Sequence, residues 1–428
     1  MSASSSADLF DPAHAAALDA SDPLPTLRGE FHVPLHDGRE QAYFVGNSLG
    51  LQPRGARAHV EAVLDGWAEV AVEGHFRGHA AWMPYHALVR DGLARLVGAK
   101  PIEVVAMNSL TANLHLMMAS FYRPSPERPV VLMEAGAFPS DRYALESQVR
   151  FHGFDPARDL VEVIPDLPGG VFSHEAIEAA IARHSGRLAL VVWPGVQYRT
   201  GQAFDLARIA RAAHAAGALC GFDLAHAVGN LDLALHDSGA DFAVWCHYKY
   251  CNSGPGAVGG CFVHERHART DRPRMAGWWG HDVETRFRMG PEFVPTPGAD
   301  GWQLSNPPIL SLAPLRASLD LFDRVGMAAL RAKSRRLTGY LQQLIDVRLS
   351  DRLEVLTPRA PDGRGCQLSI RVAGGRERGR ALFEHLAARG VLGDWREPDV
   401  IRISPAPLYN THEDVLRFAQ AVESWGEG

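Results

Sequence analysis

Two side chains in this sequence have the types and the spacing to do chemistry together: Asp223 and Lys249. Lys249 follows His247 and Tyr248 in the stretch Asp241-Phe-Ala-Val-Trp-Cys-His-Tyr-Lys-Tyr-Cys-Asn-Ser-Gly-Pro-Gly-Ala-Val-Gly-Gly260. A short apolar strand, Asp241 to Trp245, delivers the lysine into a run of small, turn-forming residues, and a second apolar strand (Gly260 to Val263) follows. Upstream, the apolar segment Ala218-Leu-Cys-Gly-Phe222 ends on Asp223, with His226 just beyond. An acid at one strand end and a lysine at the next is the pairing that a pyridoxal phosphate enzyme needs. The amine forms the Schiff base, and the carboxylate pairs with the protonated pyridine nitrogen that makes the ring an electron sink. Taken singly, each residue reads as a surface lysine or a capping aspartate. The spacing, with the glycine turn behind the lysine, favours the chemical reading.

Other residues could complete such a site. Asn108-Ser-Leu-Thr111 precedes a helical run, where Thr111 or Ser109 could cap and the free N–H groups of the helix start could bind a phosphate. Phe138-Pro-Ser-Asp141 follows a strand and opens a helix, so Phe138 could stack on a planar ring, although a lone Phe is more often core. Tyr248 offers a phenol to a phosphate or a proton transfer. Trp278-Trp279 stand between glycines in a loop, a poor place for purely structural tryptophans, and Ser305-Asn306-Pro-Pro308 leads into a long helix. Arg402, in Val400-Ile-Arg-Ile-Ser404, could clamp a carboxylate bidentately or simply pair with a nearby acid. Two lookalikes fail. Gly254-Pro-Gly-Ala-Val-Gly259 has the letters of a dinucleotide fingerprint but leads into a strand instead of opening a helix. His75 and His79 have a metal pair's spacing, yet Gly74 and Gly78 argue against a helix, so zinc is not expected.

The elements that must position these groups alternate. Helices are expected over Ala56–Val72, Tyr85–Val97, Thr111–Phe121, Ser140–Phe151, His174–His184 and Leu206–Ala216. Strands are expected over Val130–Glu134, Val161–Ile164, Leu188–Trp193, Leu219–Asp223, Phe242–Trp245 and Gly260–Val263. Strand and helix in turn predict an α/β fold, a mostly parallel sheet covered on both faces, with ligands at the carboxyl ends of its strands. After the Pro/Gly-rich stretch Pro291–Asp300 the pattern changes. A long helical region (Pro308 to Asp346), strands near Leu353–Leu356 and Cys366–Val372, a helix (Arg376–Arg389), a strand (Val400–Ser404) and a last helix (His412–Trp425) predict a smaller α+β unit. The expected division is an N-terminal arm over 1–45, a large cofactor-binding domain over 46–305 and a small C-terminal domain over 306–428. At 428 residues the chain can hold two such cores. Its net charge of -6 advertises neither nucleic acid nor anionic membrane as a partner. No apolar run reaches membrane-spanning length, the first residues lack the features of a signal peptide, and the five cysteines have no paired spacing. A cytoplasmic protein is expected.

The residues together resemble the kynureninase family, pyridoxal phosphate enzymes of the aspartate aminotransferase fold (fold type I), over nearly the whole chain. The matching motifs are Tyr43-Phe-Val-Gly-Asn-Ser-Leu-Gly50, Asn108-Ser-Leu-Thr111, Phe138-Pro-Ser-Asp141, Asp223-Leu-Ala-His226, His247-Tyr-Lys249, Trp278-Trp-Gly280 and Ile401-Arg-Ile-Ser-Pro-Ala-Pro-Leu-Tyr-Asn410. The resemblance implies hydrolysis of kynurenine, and with it the 3-hydroxy form, to anthranilate (or 3-hydroxyanthranilate) and alanine, in tryptophan breakdown and NAD synthesis. It implies that Lys249 holds the cofactor and Asp223 pairs with its ring nitrogen, with Tyr248 beside them in catalysis. Leu110, Thr111, Tyr248, His226 and Trp278 would line phosphate and ring, and Phe138 would stack, with Pro139, Ser140 and Asp141 of its motif beside it. Asn306 and His75 would reach the substrate, Asn306 also bordering the cofactor, and Arg402 would hold the substrate carboxylate. A homodimer with its sites at the interface is implied as well. One departure is Pro194, before Gly195-Val-Gln-Tyr-Arg-Thr-Gly201, where some members of the family carry a hydroxyl residue. The runner-up is a cysteine desulfurase or selenocysteine lyase. Those enzymes place the lysine directly after a histidine and use a mobile cysteine, whereas Tyr248 intervenes here. A non-catalytic cofactor-binding protein is the third reading, and it has no need of Asp223, Lys249 and Arg402 together.

Overall fold

The computed structural model describes residues 9–78 and 80–425. His79, one half of the rejected metal pair, and the first residues of the arm lie outside that range. The strands of the two main sheets are β1 (Val104–Ala106), β2 (Val130–Glu134), β3 (Leu160–Val163), β4 (Leu188–Pro194), β5 (Leu219–Asp223), β6 (Phe242–Cys246), β7 (Gly259–Val263), β8 (Leu353–Val355), β9 (Leu368–Val372), β10 (Asp394–Arg396) and β11 (Val400–Ile403). The first seven form one sheet in the order β1-β7-β6-β5-β4-β2-β3. Strands β2 to β6 run parallel, and β7 is antiparallel to both its neighbours.

Apolar runs make these strands because both faces are covered, so the hydrophobic pattern is continuous instead of alternating. Val130 and Leu132 enter one core, whereas Val131 and Met133 enter the other, as the two-residue period of a strand requires. The carboxyl ends of β2, β4 and β5 are Glu134, Pro194 and Asp223, set side by side. The lysine turn leaves from β6, next in the sheet.

Sequence expectation and structure differ in several places. The region Pro308–Asp346 is two helices, Ile309–Val325 and Met327–Leu344, parted at Gly326, whose φ of +77° a helix cannot continue through. Tyr85–Val97 begins as a 3₁₀ turn and becomes α-helical at Arg90. Strands β1 and β10 were not expected.

Strands β8 to β11 form an antiparallel sheet in the order β8-β9-β11-β10. The described part of the N-terminal arm packs against it within the same chain. Helix Pro12–Ser21, capped by Asp11 and started by Pro12, lies on the C-terminal helix His412–Ser424. Phe10, Ala15, Ala42 and Phe44 share a core with Leu337, Leu368, Ile401 and Val415. Ala42–Tyr43 pairs in parallel with Val391–Leu392, and the Ser404 N–H donates to the Phe44 carbonyl at 3.0 Å.

Candidate active site

The turn that presents Lys249 is held from three sides. His247 is buried, accepts from the Trp245 indole N–H at 2.7 Å and sets its other nitrogen 2.7 Å from the Val258 carbonyl. Burial brings its imidazole down to about 4, so His247 is a neutral brace and not an acid or base. Asn252 sits at φ +51°, a left-handed position that asparagine tolerates, and its N–H donates to the Lys249 carbonyl at 2.9 Å. Gly50 donates its N–H to the Tyr248 carbonyl at 2.8 Å, and a Cβ there would run into the Lys249 carbonyl. The motif Tyr43–Gly50 is therefore the loop that backs the lysine.

Lys249 Nζ lies 3.0 Å from His226 Nε2 and 5.9 Å from the centre of the Phe138 ring. Burial and the neighbouring lysine charge hold His226 well below the usual imidazole range, which keeps it neutral beside the amine. Of the chain's three lysines, Lys249 alone lines a cavity here. Lys100 pairs with Glu265, and Lys333 is buried with its amine on the Leu24 carbonyl.

A cavity of about 170 Å³ opens in front of the amine. Three carboxyl groups meet at its floor: Glu134, Asp141 and Asp223. Burial raises all three, and their mutual repulsion raises Asp141 and Glu134 further. Asp223 accepts the Ala225 N–H at 2.7 Å and shares a hydrogen bond with Asp141, so it is the carboxyl best fitted to carry the charge. Glu134 is pushed up to about 8 and is a neutral acid at pH 7. Its pKa is higher folded than unfolded, so the stability linked to it is greatest at low pH and declines as the pH rises from about 4.5 to about 8. We expect the cofactor-free protein to lose melting temperature over this window and Glu134→Gln to lose measurably less. Parallel slopes for the two proteins in a pH series of thermal melts would show that Glu134 does not titrate there.

At the other end of the cavity, helix Leu110–Phe121 begins with Ser109 at its N-cap, which makes no capping bond. The first N–H groups are left unspent, which makes an anion site. Gly259 faces this turn, and a Cβ there would lie 2.9 Å from the Ser109 carbonyl carbon. Thr111 Oγ1 and Ser140 Oγ are 2.7 Å apart, tying the two helix starts together. Glu134 Oε2, Asp141 Oδ1 and His226 Nδ1 are buried without partners. An amine, a flanking aromatic, an acid floor and a helix start fit pyridoxal phosphate.

The structure brings Leu110, Thr111, Phe138, Ser140, Asp141, Asp223, His226, Tyr248 and Lys249 around this one cavity. Pro139 is the exposed first residue of its helix. Trp278, Asn306 and His75 are not brought to it. Trp278 is 40 % exposed, with its indole N–H on the Arg286 carbonyl, and Asn306 is exposed on its loop. His75 packs edge-on against Trp82 at 5.3 Å. Trp279, read as unlikely to be structural, is buried under the Arg286 guanidinium, 4.4 Å from its ring centre. Arg402 is fully buried on β11, donating to the Tyr198 carbonyl at 2.9 Å and pairing with Asp394. Glu134 and Tyr198 line the cavity without having been expected. Glu134 ends a strand just as Asp223 does, and that signal was available.

A family profile described as "Kynureninase C-terminal domain" matches residues 330–422. The kynureninase of Xanthomonas euvesicatoria pv. vesicatoria (strain 85-10) is 69% identical over 418 residues, 98% of this chain and 99% of that protein. The kynureninase of Xanthomonas campestris pv. campestris (strain B100) is 68% identical over the same shares. The chain belongs to the kynureninase family. The cofactor of this chain is pyridoxal phosphate, which the residues around the cavity fit. Among solved structures, a cysteine desulfurase from Escherichia coli superposes with a TM-score of 0.74 at 16% identity, covering 94% of this chain and 97% of that one. A C-DES variant with glycine covalently linked to its PLP cofactor gives 0.73 at 19% identity, over 90% and 96%. At such identities the likeness is of fold alone. The desulfurase reading needs an accessible thiol, whereas all five cysteines are buried and burial lifts Cys366 to about 12.

Proposed function

We propose that this chain hydrolyses L-kynurenine, and 3-hydroxy-L-kynurenine with it, to anthranilate (or 3-hydroxyanthranilate) and L-alanine. The observation that carries the reading is Lys249 and Asp223 across one cavity in a chain 69% identical to a kynureninase over nearly its full length. The Cβ–Cγ bond breaks, the hydroxyl of water joins the acyl carbon, and a proton is delivered to Cβ. When bound, pyridoxal phosphate supplies an aldehyde for the substrate amine and a ring that accepts electrons from Cα.

The chain's own residues do the rest. In the division 1–45, 46–305 and 306–428, the large domain carries the cofactor site, the small domain supplies Arg402, and the described residues of the arm, from Leu9 on, brace that smaller unit. Asp223 holds the proton on the ring nitrogen. Lys249 and Tyr248 move protons at Cα and Cβ, an amine and a phenol side by side. Burial raises the Tyr248 phenol well above its usual range, so it acts as a proton donor and not as a phenolate. Arg402 fixes the substrate carboxylate and so aligns the bond to be broken.

A homodimer completes the site. Leu64, Trp67, Val72 and Phe76 on one segment, and Val283, Phe287, Met289 and Val294 on another, are exposed apolar side chains of the kind a second copy covers. His75, Trp278 and Asn306 lie on or beside these segments, from which a twofold partner brings them to the other copy's cavity, His75 and Asn306 toward the aryl ketone. The protein acts in the cytoplasm, in tryptophan breakdown and NAD synthesis, and no helix among the described residues is long and apolar enough to cross a membrane.

One preparation tests the reading: purified protein, pyridoxal phosphate and L-kynurenine, followed by anthranilate fluorescence and alanine release, with mass by light scattering. Equal amounts of both products from a dimer are expected. Sulfide or selenide release from cysteine substrates with kynurenine untouched, or bound cofactor without turnover of any amino acid, would overturn it.

A further inference from the structure

The carboxylate clamp just proposed for Arg402 carries a neighbour of opposite charge. Asp394 on β10 stands directly opposite Arg402 on β11 in the antiparallel register. The Arg402 Nε–H donates to Asp394 Oδ1 at 3.2 Å, and Nη2 lies 2.9 Å from Oδ2. A carboxylate only 10% exposed in that position cancels the charge that a substrate carboxylate would seek. To bind, the substrate would have to displace it and strand an uncompensated buried anion.

Arg396 removes the conflict. It lies two residues along β10 from Asp394, so the period of a strand puts both on one face. Its Nη2–H donates to Asp394 Oδ2 at 3.1 Å and its Nε lies 3.0 Å from Oδ1. One carboxylate is thus held between two guanidinium groups, which leaves one positive charge over. The other nearby acid, Asp399, is taken by Arg199 at 3.2 Å and Arg371 at 2.9 Å. Arg402 Nη2 and Arg396 Nε are both buried and meet Asp394 as ion-pair contacts without hydrogen-bond alignment. The triad lies behind the cavity wall. The Arg402 Nη1–H donates to the carbonyl of Tyr198, a residue of the cavity wall, and the charge of Arg396 is felt at both Tyr248 and His226.

We infer that Arg402, Asp394 and Arg396 form a charge-balanced triad that reserves a single positive charge for the carboxylate of an amino-acid substrate. Asp394 is a positioning residue that locks the fork of Arg402, and Arg396 is the counter-cation that keeps Asp394 from neutralising it. The inference rests on the reading of Arg402 as the substrate clamp.

The test uses the cofactor-loaded protein and two probes that share an amine, L-alanine and ethylamine, titrated by the absorbance change of the bound cofactor. Arg396→Gln leaves the triad neutral and should weaken L-alanine about 10- to 150-fold, the range for losing a charged pair, with ethylamine unchanged. Arg396→Lys keeps the charge and should stay near the wild type. The double variant Asp394→Asn/Arg396→Gln returns the net charge to its original value and should recover L-alanine affinity to within about threefold, a coupling that independent sites would not show. Three results would overturn the triad: a double variant no better than Arg396→Gln, L-alanine affinity unmoved by Arg396→Gln, or equal loss for both probes. Failure of the proposed reaction is separately visible. Wild-type protein that binds L-alanine and leaves kynurenine intact, with the rescue seen in the double variant, would remove the kynurenine assignment and support the triad as a clamp for another amino acid.

Discussion

Lys249→Ala protein should turn over kynurenine at least about 10⁴-fold more slowly than the wild type, the upper end of what one positioned acid–base group contributes. The loss should exceed that of a pure proton carrier, because the same amine also holds the cofactor aldehyde. The fold should survive, since the turn around Lys249 is built from the backbone bonds of Asn252, Ser253 and Gly50 and from the His247 brace, not from the amine. Borohydride reduction followed by peptide mapping checks the assignment in one experiment. With only three lysines in the chain, the map has three possible outcomes. A tag on Lys249 is expected, and a tag on Lys100 or Lys333 would sink the assignment.

Asp223→Ala should lose at least about 10²-fold in rate, as when one preorganised electrostatic partner is removed, and should hold the cofactor more weakly. Asp141 lies close enough to share a hydrogen bond with Asp223, and Glu134 is a third acid at the same floor. The residual activity of Asp223→Ala therefore measures how far a neighbour can take over. Asp223→Ala combined with Asp141→Ala should fall further than either change alone. Cofactor affinity by equilibrium dialysis, beside kcat and KM, separates loss of binding from loss of reactivity. Near-normal turnover in Asp223→Ala would move the role to Asp141.

What could be read from the sequence was what lies close along the chain or repeats with a strand's or helix's period. The buried strands from Val130 to Asp223 announced themselves as apolar runs, and Asp223 and Lys249 fell at the ends where a parallel sheet places its ligands. Glu134 escaped because no cation or motif near it in sequence suggested a role, although its position is equivalent. Asp394 and Arg396 escaped because a three-residue polar edge strand has no hydrophobic pattern, and their pairing with Arg402 depends on a strand register that only the fold sets. Trp279 was misread because its partner, Arg286, reaches it through a loop that carries no periodic signal. The site roles of His75, Trp278 and Asn306 came from family likeness, and one chain alone does not bring them to the lysine.

The segment from Ala42 to Gly50 touches two things at once. At one end Phe44 is bonded to Ser404, next to the strand that bears Arg402, and at the other Gly50 is bonded to the backbone of Tyr248, next to Lys249. It works as a strut of fixed length between Arg402, proposed to grip the substrate's carboxylate, and Lys249, proposed to meet its amine. Because those two groups sit on one carbon of an amino acid, their separation is the same in every such substrate. The strut is therefore a ruler for the invariant part of the ligand, and selectivity among amino acids has to be decided elsewhere, by whatever meets the side chain.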